Sequence, residues 1–380
     1  MHDLRRWFAA ALAIAASSLL IGSAHAQAPL DWEPGSTCVF TVGMLQWVNS
    51  QEWSPAPQTN RRDQHIVNFF AEAGVPPEQI ASVRDAGATK QRMLEELVRL
   101  LRRTRRGDML VFYFCGHGAR DVIDSDEPWF GNFDSGEQDD LEWNASEVLN
   151  AIEQHFRGDR VLLLAESCRS GALYEEVLSL ARSRIGYAVL TSAYSPNTST
   201  ASWTFTDAIL SGLRGNGIAD VNGDRVVDLE ELAEYAELEV AFIQGQKSMA
   251  LARDGFPGST RLAVVMQAVP DKVGLRLEVR SHKGWHKAES INVNGENLEV
   301  EFVQEGSDLA EWVGPDQVRL YQPTELSPGT KVDVLWNGDQ AWYPGTVVQA
   351  WYGLHLVRYD GDDGASNEWV GPQSLRLRGR

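Results

Sequence analysis

The segment MLVFYFCGHG, residues 109–118, joins an uninterrupted apolar run to a tip of small and polar residues. Residues 109–114 carry no charge and show no alternation of polar and apolar side chains. This pattern is typical of a central strand in a parallel sheet, buried on both faces. The run then ends at His117, which stands between two glycines. We therefore predict an α/β sheet with a functional group at the carboxyl end of this strand.

A second apolar run ends in a similar tip. Residues 161–165 (VLLLA) lead into ESCRSG, residues 166–171. Because the carboxyl ends of parallel strands meet at one edge of a sheet, we expect His117 and Cys168 in the same region. A thiol beside an imidazole supplies a nucleophile and a proton donor for acyl transfer. A lone Cys or His is more often structural, but both residues here end apolar strands among small neighbours.

Apolar runs alternate with helical periodicity from residue 38 to about residue 269, which is typical of a mostly parallel α/β sheet. The pattern predicts six strands: residues 39–47, 80–84, 109–114, 161–165, 188–192 and 261–266. Helices are predicted near residues 62–73, 90–103, 145–155, 206–212 and 229–244. Asn144 and Asp228 are the predicted N-caps of the third and the last of these helices.

Composition excludes several classes of partner. The 380 residues carry 34 Lys and Arg against 53 Asp and Glu, a net charge of −19 that repels phosphate backbones. We therefore expect no nucleic-acid partner. No apolar run after residue 26 approaches the length of a membrane span. The three cysteines are too few for a disulfide framework.

The first 26 residues have the pattern of a signal peptide. Arg5 and Arg6 precede an apolar stretch, and residues 24–26 (AHA) give the small-x-small pattern of a cleavage site. Residues 1–26 are thus predicted to be removed before Gln27, and the mature protein is expected in the periplasm or outside the cell. The alternative is an uncleaved N-terminal anchor.

The sequence pattern changes at about residue 273. From there on, short runs of alternating polar and apolar residues, separated by turn residues, predict small β units. GWHK at residues 284–287 and AWYP at 341–344 lie 57 positions apart, and EWVGP recurs at the same offset at 311–315 and 368–372. Such an ungapped match predicts two copies of one module. We place them at residues 273–322 and 329–378, after a domain at 37–269.

Each module is expected to fold on its own tryptophans, Trp285 and Trp312 in the first and Trp342 and Trp369 in the second. If so, deleting residues 273–380 should leave an active first domain.

Residues 37–268 resemble the caspase-like cysteine peptidases, the group of caspases, metacaspases and legumain. Gly107-Asp108 followed by LVFYFCGHG is similar to the histidine strand of metacaspases, and AESCRSG (165–171) to the cysteine strand of legumain-type members. GVPPEQI (74–80) resembles a legumain helix-to-strand junction. The resemblance implies Cys168 as the nucleophile, His117 as the acid for the leaving amine, and an oxyanion hole from the N–H groups of Gly118 and Cys168.

The resemblance also implies that the S1 pocket, which takes the P1 residue of the substrate, contains an acidic side chain at Glu166. Strand alternation puts Glu166 and Cys168 on one face. Ser192 and Asp63 are further candidates for this pocket. An acidic pocket favours Arg or Lys at P1, whereas a legumain-like pocket would take Asn. Caspases carry a long cleavable linker after the nucleophile. Here the short segment from Cys168 to residue 187 holds one short helix, so a single-chain enzyme is expected.

Four other residues of this domain are interpreted as structural or solvated. Cys115 shares a face with His117 and is interpreted as a small core residue, with a place in the active site as the alternative. Cys38 starts the first strand whereas Cys115 ends the third, so the two are too far apart for a disulfide. Arg61 and its neighbour at position 62 are interpreted as a solvated helix start.

An acidic segment before the last helix has the 1-3-5-7-9-12 spacing of a calcium loop. Arg225 stands at the sixth position, where such loops need Gly. The alternative is an ordinary helix start. The candidate side-chain ligands for Ca²⁺ are Asp220, Asn222, Asp224, Asp228 and Glu231.

The second module resembles Tudor- or agenet-like, SH3-sized β-barrels through VDVLWNG (332–338), AWYPGTVV (341–348) and EWVGP (368–372). This resemblance implies an aromatic cage that holds methylated Lys or Arg by cation–π attraction. The alternative is that these rings form the small core of a 50-residue barrel. The candidate cage residues are Trp336, Trp342, Tyr359 and Trp369.

The expected fold is therefore a caspase-like, mostly parallel six-stranded sheet flanked by helices, followed by two small SH3/Tudor-like barrels. The expected function is that of an exported cysteine endopeptidase that acts on a protein or peptide, prefers Arg or Lys at P1 and requires no cofactor. One alternative is a legumain-like, Asn-specific peptidase or transpeptidase. The other is a non-catalytic scaffold whose C-terminal modules bind a ligand that the sequence does not identify.

Overall fold

The structure is a computed structural model. It describes residues 30–378 with the exception of 51–52, 121–127, 136–141, 181, 201, 254, 283, 304–309, 337–339, 363 and 365. The predicted signal peptide at residues 1–26 lies outside the described residues. Within the described part of the chain, no helix is both long enough and apolar enough to cross a bilayer.

The described residues between 30 and 270 form an α/β unit. Its helices are α1 (Arg62–Glu72), α2 (Lys90–Leu101), α3 (Ala145–His155), α4 (Ala172–Ser179), α5 (Thr204–Leu213) and α6 (Leu229–Gln244). Its strands are β1 (Thr37–Gly43), β2 (Ile80–Arg84), β3 (Met109–Cys115), β4 (Gly118–Arg120), β5 (Pro128–Phe130), β6 (Trp143–Asn144), β7 (Arg160–Glu166), β8 (Gly186–Thr191), β9 (Val226–Asp228), β10 (Met249–Ala252) and β11 (Arg261–Val264).

A six-stranded sheet in the order β10-β8-β7-β3-β1-β2 forms the centre of this unit. All neighbours are parallel except β10, which runs antiparallel to β8. Every residue of β3 is buried, because helices cover both faces of the sheet. Val111 and Tyr113 pack on one helical layer, while Phe112 and Phe114 pack on the other. The sequence pattern of residues 109–114 therefore reports the position of β3 correctly.

The registers of the central strands align their carboxyl ends. Gly43 of β1 pairs with Cys115 of β3, and Cys115 pairs with Glu166 of β7. The tips that follow β3 and β7 therefore leave the sheet side by side. In the same register Cys38 pairs with Leu110, five positions from Cys115, and all three cysteines of the chain are free thiols.

The prediction of the sixth strand is wrong. Residues 261–266 do not complete the central sheet; β11 pairs with β9 in a separate two-stranded sheet. Its apolar side chains pack with α5 and α6 in the core. The sixth strand of the central sheet is β10, a four-residue edge strand in which no residue is fully buried. Its sequence, MALA, is apolar but only four residues long, and so short an apolar run does not by itself distinguish a strand from other structure.

Two five-stranded antiparallel sheets follow. The first has the order β15-β14-β13-β12-β16 and the second the order β20-β19-β18-β17-β21. Their strands are β12 (Arg276–Ser281), β13 (Gly284–Asn294), β14 (Asn297–Phe302), β15 (Ala310–Val313), β16 (Val318–Leu320), β17 (Lys331–Leu335), β18 (Trp342–Trp351), β19 (Leu354–Tyr359), β20 (Glu368–Val370) and β21 (Leu375–Leu377).

The two sheets share their irregularities as well as their order. A register shift occurs in β13 between Ser290 and Asn292, and the same shift occurs in β18 between Val347 and Gln349. These positions are 57 residues apart, the offset of the sequence repeat. The repeat is therefore also a structural repeat.

The prediction that tryptophans build the module cores is wrong. The cores are aliphatic, made of residues such as Val279 and Val300 in the first module and Val334 and Val357 in the second. The remaining members of these cores are Leu277, Ala288, Leu298 and Val313, and Val332, Val347 and Val370. Most of these core residues are valines, which are favoured in β-strands.

The indoles of three of the four tryptophans instead lie on the surface. The guanidinium carbon of Arg319 lies 4.2 Å from the ring centroid of Trp285, and that of Arg376 lies 4.4 Å from the ring centroid of Trp342. Trp312 is exposed, whereas Trp369 is buried outside the core of its module.

Candidate active site

A cleft of about 250 Å³ opens at the carboxyl ends of β3 and β7. His117 and Cys168 both line it, together with Glu166 from the end of β7. The other lining residues come from four loops and are Met44, Leu45, Trp47, Ser54, Pro55, Ala56, Pro57, Gly116, Ser167, Ser199, Thr200, Ser202 and Trp203. The structure thus brings together the two side chains that the sequence paired.

His117 is held by aromatic rings and a carbonyl. Its ring centroid lies 4.5 Å from that of Trp47 and 5.3 Å from that of Trp53. Its Nε2 lies 3.1 Å from the carbonyl oxygen of Ser54. Because a carbonyl only accepts, Nε2 carries the proton in this contact, and Nδ1 remains as the nitrogen that can exchange a proton. The sequence analysis did not single out Trp47, Trp53 or Ser54.

Cys168 follows β7 and faces the loop before α5. The backbone N–H of Ser199 donates to Sγ at 3.3 Å, and Sγ lies 3.7 Å from the carbonyl oxygen of Ser199. Burial raises the pKa of the Cys168 thiol, and the Ser199 N–H opposes this rise. Cys38 and Cys115 are fully buried. Among the three cysteines, only Cys168 offers a partly accessible thiol.

Gly118 allows the two tips to approach closely. A Cβ atom at this position would lie 2.5 Å from the carbonyl oxygen of Cys168 and 2.8 Å from Oγ of Ser167. Both distances are far below a normal contact. A larger residue at 118 would therefore push the segment that carries Cys168 away from the segment that carries His117. This contact explains physically why the histidine is followed by glycine.

Glu166 lies at the cleft but also supports α5. Its Oε2 accepts the backbone N–H of Thr206 at 3.1 Å and the hydroxyl of the same residue. Burial raises the pKa of Glu166 to about 8, and the hydrogen bonds from Thr206 oppose that rise. The carboxyl is therefore mostly neutral at pH 7. The sequence identified the position of Glu166 but not this protonation.

Ser192 and Asp63 do not line the cleft, so the structure does not support them as pocket residues. Ser192 is buried, with its Oγ 3.3 Å from the hydroxyl of Ser199. Asp63 is fully buried and forms an ion pair with Arg61 at 3.0 Å. Their polar atoms are occupied in holding neighbouring segments together.

Arg61 is not a solvated residue, contrary to the sequence interpretation. It is largely buried, pairs with Asp63 and Asp85, and donates to the carbonyl oxygen of Gly43 at 2.8 Å. Cys115 is a buried core residue, as interpreted from the sequence.

The candidate calcium loop gathers three carboxylates. Oxygens of Asp220, Asp224 and Glu231 lie within 4.8 Å of one another. Arg225, at the sixth position, has a left-handed φ of +67°, the conformation for which such loops use glycine. A set of hard oxygen donors in this loop shape suits Ca²⁺.

The other two candidate ligands have local roles. Asn222 Oδ1 accepts the backbone N–H of Asp224 at 2.8 Å. Asp228 caps α6, accepting the N–H of Glu231 at 2.9 Å.

The second module carries a different set of clustered rings from the one that the sequence predicted. Trp336 and Tyr343 have centroids 6.2 Å apart, and Tyr343 and Tyr359 are 6.4 Å apart, both edge to face. Tyr359 also donates its hydroxyl to Glu368. Tyr343, which the sequence analysis did not select, is thus the central ring.

Trp342 and Trp369 do not belong to this cluster. Trp342 precedes Tyr343 on β18, and side chains of successive strand residues point to opposite faces. It stacks on Arg376 instead. Trp369 packs with Ala241 of α6 and Leu354.

Comparison with known proteins identifies the second module. The Agenet domain family matches residues 329–378, the segment that contains β17–β21. No curated protein matches the chain. The chain is therefore a mixed α/β protein with a mostly parallel six-stranded sheet that carries an Agenet domain at its C-terminal end.

Three solved structures resemble parts of this chain at low sequence identity. Protein GSU0716 from Geobacter sulfurreducens is 11% identical with a TM-score of 0.44, covering 60% of this chain and 99% of its own. The Drosophila initiator caspase Dronc is 9% identical with a TM-score of 0.38, covering 64% of this chain and 90% of its own. Tandem Agenet domain 3-4 of ADCP1 is 21% identical with a TM-score of 0.14, and the match covers 28% of this chain and 79% of that structure.

Proposed function

We propose that this protein is an exported cysteine endopeptidase of the caspase-like type. The observation that carries the proposal is the cleft at the ends of β3 and β7, which His117 and Cys168 line together. Its nucleophile is the one partly accessible thiol of the chain. The predicted signal peptide supports a periplasmic or extracellular location.

In the proposed reaction, Sγ of Cys168 attacks the carbonyl carbon of the scissile peptide bond. The thiol proton passes to Nδ1 of His117 as the C–S bond forms, and the backbone N–H groups of Gly118 and Cys168 stabilise the oxyanion. His117 then gives a proton to the amine nitrogen as the C–N bond breaks. Water hydrolyses the thioester, which regenerates the thiol and releases a carboxylate. These steps require no cofactor.

For the P1 residue we propose Arg or Lys, with Glu166 as the partner in the cleft. A guanidinium or ammonium group would pair with the ionised carboxylate. Since burial holds the pKa of Glu166 at about 8, this preference should strengthen as the pH rises. Below that pH the neutral carboxyl could instead exchange hydrogen bonds with the carboxamide of a P1 Asn, which is the legumain-like alternative.

We further propose that the Agenet domain binds a methylated Lys or Arg side chain between Trp336, Tyr343 and Tyr359. Faces of aromatic rings attract such cations, and Trp336 and Tyr343 are exposed. In the scaffold alternative, this binding would be the whole function of the protein.

The experiment is hydrolysis of peptides with Arg, Lys, Asn or Asp at P1 by the mature protein. Cys168→Ala and His117→Ala should abolish turnover without loss of the folded state. Cys38→Ala is the matched control, because it removes a thiol that is buried away from the cleft. Full activity in Cys168→Ala would refute the mechanism. A wild type that cleaves none of the four classes would favour the scaffold.

A further inference from the structure

The loop of residues 192–200, between β8 and α5, closes over the nucleophile. Its Ser199 contributes both the N–H that donates to Sγ of Cys168 and a carbonyl oxygen that lies 3.7 Å from that sulfur. The same loop packs over Gly171, where a Cβ atom would lie 2.5 Å from the backbone nitrogen of Ser195. The position of the thiol therefore depends on the position of this loop.

Asn197 connects the loop to the backbone beside the nucleophile. Its carbonyl oxygen accepts the N–H of Arg169, the residue after Cys168, at 2.8 Å. Arg169 has a left-handed φ of +54°. A residue with a side chain adopts this conformation at a cost and persists in it only when its surroundings hold it there. The contact with Asn197 is one of the constraints that hold it.

The side chain of Asn197 reaches the Agenet domain. Its Oδ1 accepts the backbone N–H of Trp369 at 3.0 Å, and its Nδ2 donates to the carbonyl oxygen of Trp369 at 2.6 Å. The amide group thus pairs with Trp369 as a neighbouring β-strand would. Both residues are buried. A buried pair in which every partner is satisfied fixes the geometry between two units.

Packing around the indole fixes the same contact. Trp369 packs against Ala241 of α6 and Leu354, with Tyr194 of the loop at the edge of the cluster. The ammonium group of Lys247 lies 4.4 Å from the ring centroid of Trp351 and 5.8 Å from that of Trp369. This surface joins the peptidase unit to the second module.

The first module provides an internal comparison. Trp312 is the residue at the equivalent position of the repeat, and its exposed fraction is 48%, against 7% for Trp369. The burial of Trp369 is therefore a property of its contact with the peptidase unit and not of the module fold.

We propose that Asn197 is a positioning residue for Cys168 and that the Agenet domain, through Trp369, holds it in place. The proposal rests on the proposed peptidase function. It makes residues 329–378 part of the support of the active site and not only a binding module. It also replaces the expectation that the peptidase remains active when both modules are deleted.

The test uses the full mature chain with Asn197→Ala, Trp369→Ala and, as matched control, Trp312→Ala. A misplaced nucleophile lowers kcat while substrate binding is retained, so kcat should fall by roughly tenfold to a hundredfold in the first two variants with little change in KM. Trp369→Phe keeps the backbone pair and a ring in the pocket, and it should recover most of the activity. Trp312→Ala should behave as the wild type.

Hydrogen exchange supplies a readout that does not depend on catalysis. Peptides covering residues 168–171 and 192–200 should exchange faster in Asn197→Ala and Trp369→Ala, and at the wild-type rate in Trp312→Ala. Unchanged exchange together with unchanged kcat in Asn197→Ala would overturn the proposal. If the wild type hydrolyses nothing, the exchange comparison still decides whether the module positions the loop, so the two failures are distinguishable.

Discussion

The replacement of Glu166 by Gln should change how the stability of the protein depends on pH. Gln can still accept the hydrogen bonds from Thr206, but it cannot ionise. In the wild type the pKa of Glu166 rises from its ordinary value of 4.5 to about 8 on folding. The folded protein therefore holds this proton more tightly than the unfolded chain does. The resulting stabilisation is complete below pH 4.5 and is lost as the pH rises through 8.

The size of the effect follows from the pKa difference. At about 1.4 kcal/mol for each pH unit, the difference amounts to at most ~5 kcal/mol. The unfolding free energy of Glu166→Gln minus that of the wild type should therefore increase from pH 5 to pH 9. The assay is chemical unfolding at pH 5, 7 and 9, with both proteins in a Cys168→Ala background to prevent self-cleavage. Glu72→Gln, exposed at the end of α1, is the control.

Catalysis gives a second measure of the same ionisation. In otherwise wild-type protein, the ratio of kcat/KM for P1 Arg to that for P1 Asn should increase as the pH passes 8, and this increase should vanish in Glu166→Gln. A stability difference between the two proteins that is the same at all three pH values would refute the reasoning about burial. A P1 ratio that does not respond to pH would refute the role of Glu166 in the pocket.

Three further changes test other parts of the structure. Gly118→Ala should cost about 1–3 kcal/mol of unfolding free energy and most of the peptidase activity, because its methyl group would collide with the carbonyl of Cys168; wild-type melting and turnover would contradict this. Calcium should raise the melting temperature with a Kd of about 10⁻⁴–10⁻³ M, and Asp224→Ala should remove the effect; a calorimetric titration without heat would exclude the site. Tyr343→Ala should abolish binding of a trimethyl-lysine peptide, measured by fluorescence anisotropy, whereas Trp342→Ala should retain it; equal losses would contradict the cage.

The sequence predicted the elements whose signal is strong and local. β3 and β7 are apolar throughout, and the glycines and polar tips that follow them indicated the site. The edge strand β10 was not predicted because its apolar run of four residues, MALA, is too short to show a periodicity. Ser199 was not predicted as a site residue because its role depends on a backbone N–H, which every residue type except proline provides. The tryptophans of the modules misled the prediction, since an indole serves equally well in a core, on an arginine or at an interface.

The unequal environments of Trp312 and Trp369 have an evolutionary consequence. The shared register shift shows that both modules adopt one fold, so the two tryptophans descend from equivalent positions in a duplicated segment. Trp369 is constrained by its contact with the α/β unit as well as by its own module, whereas Trp312 lies on an exposed surface. We expect substitutions to accumulate at position 312 and to be removed by selection at position 369 among proteins that share this architecture.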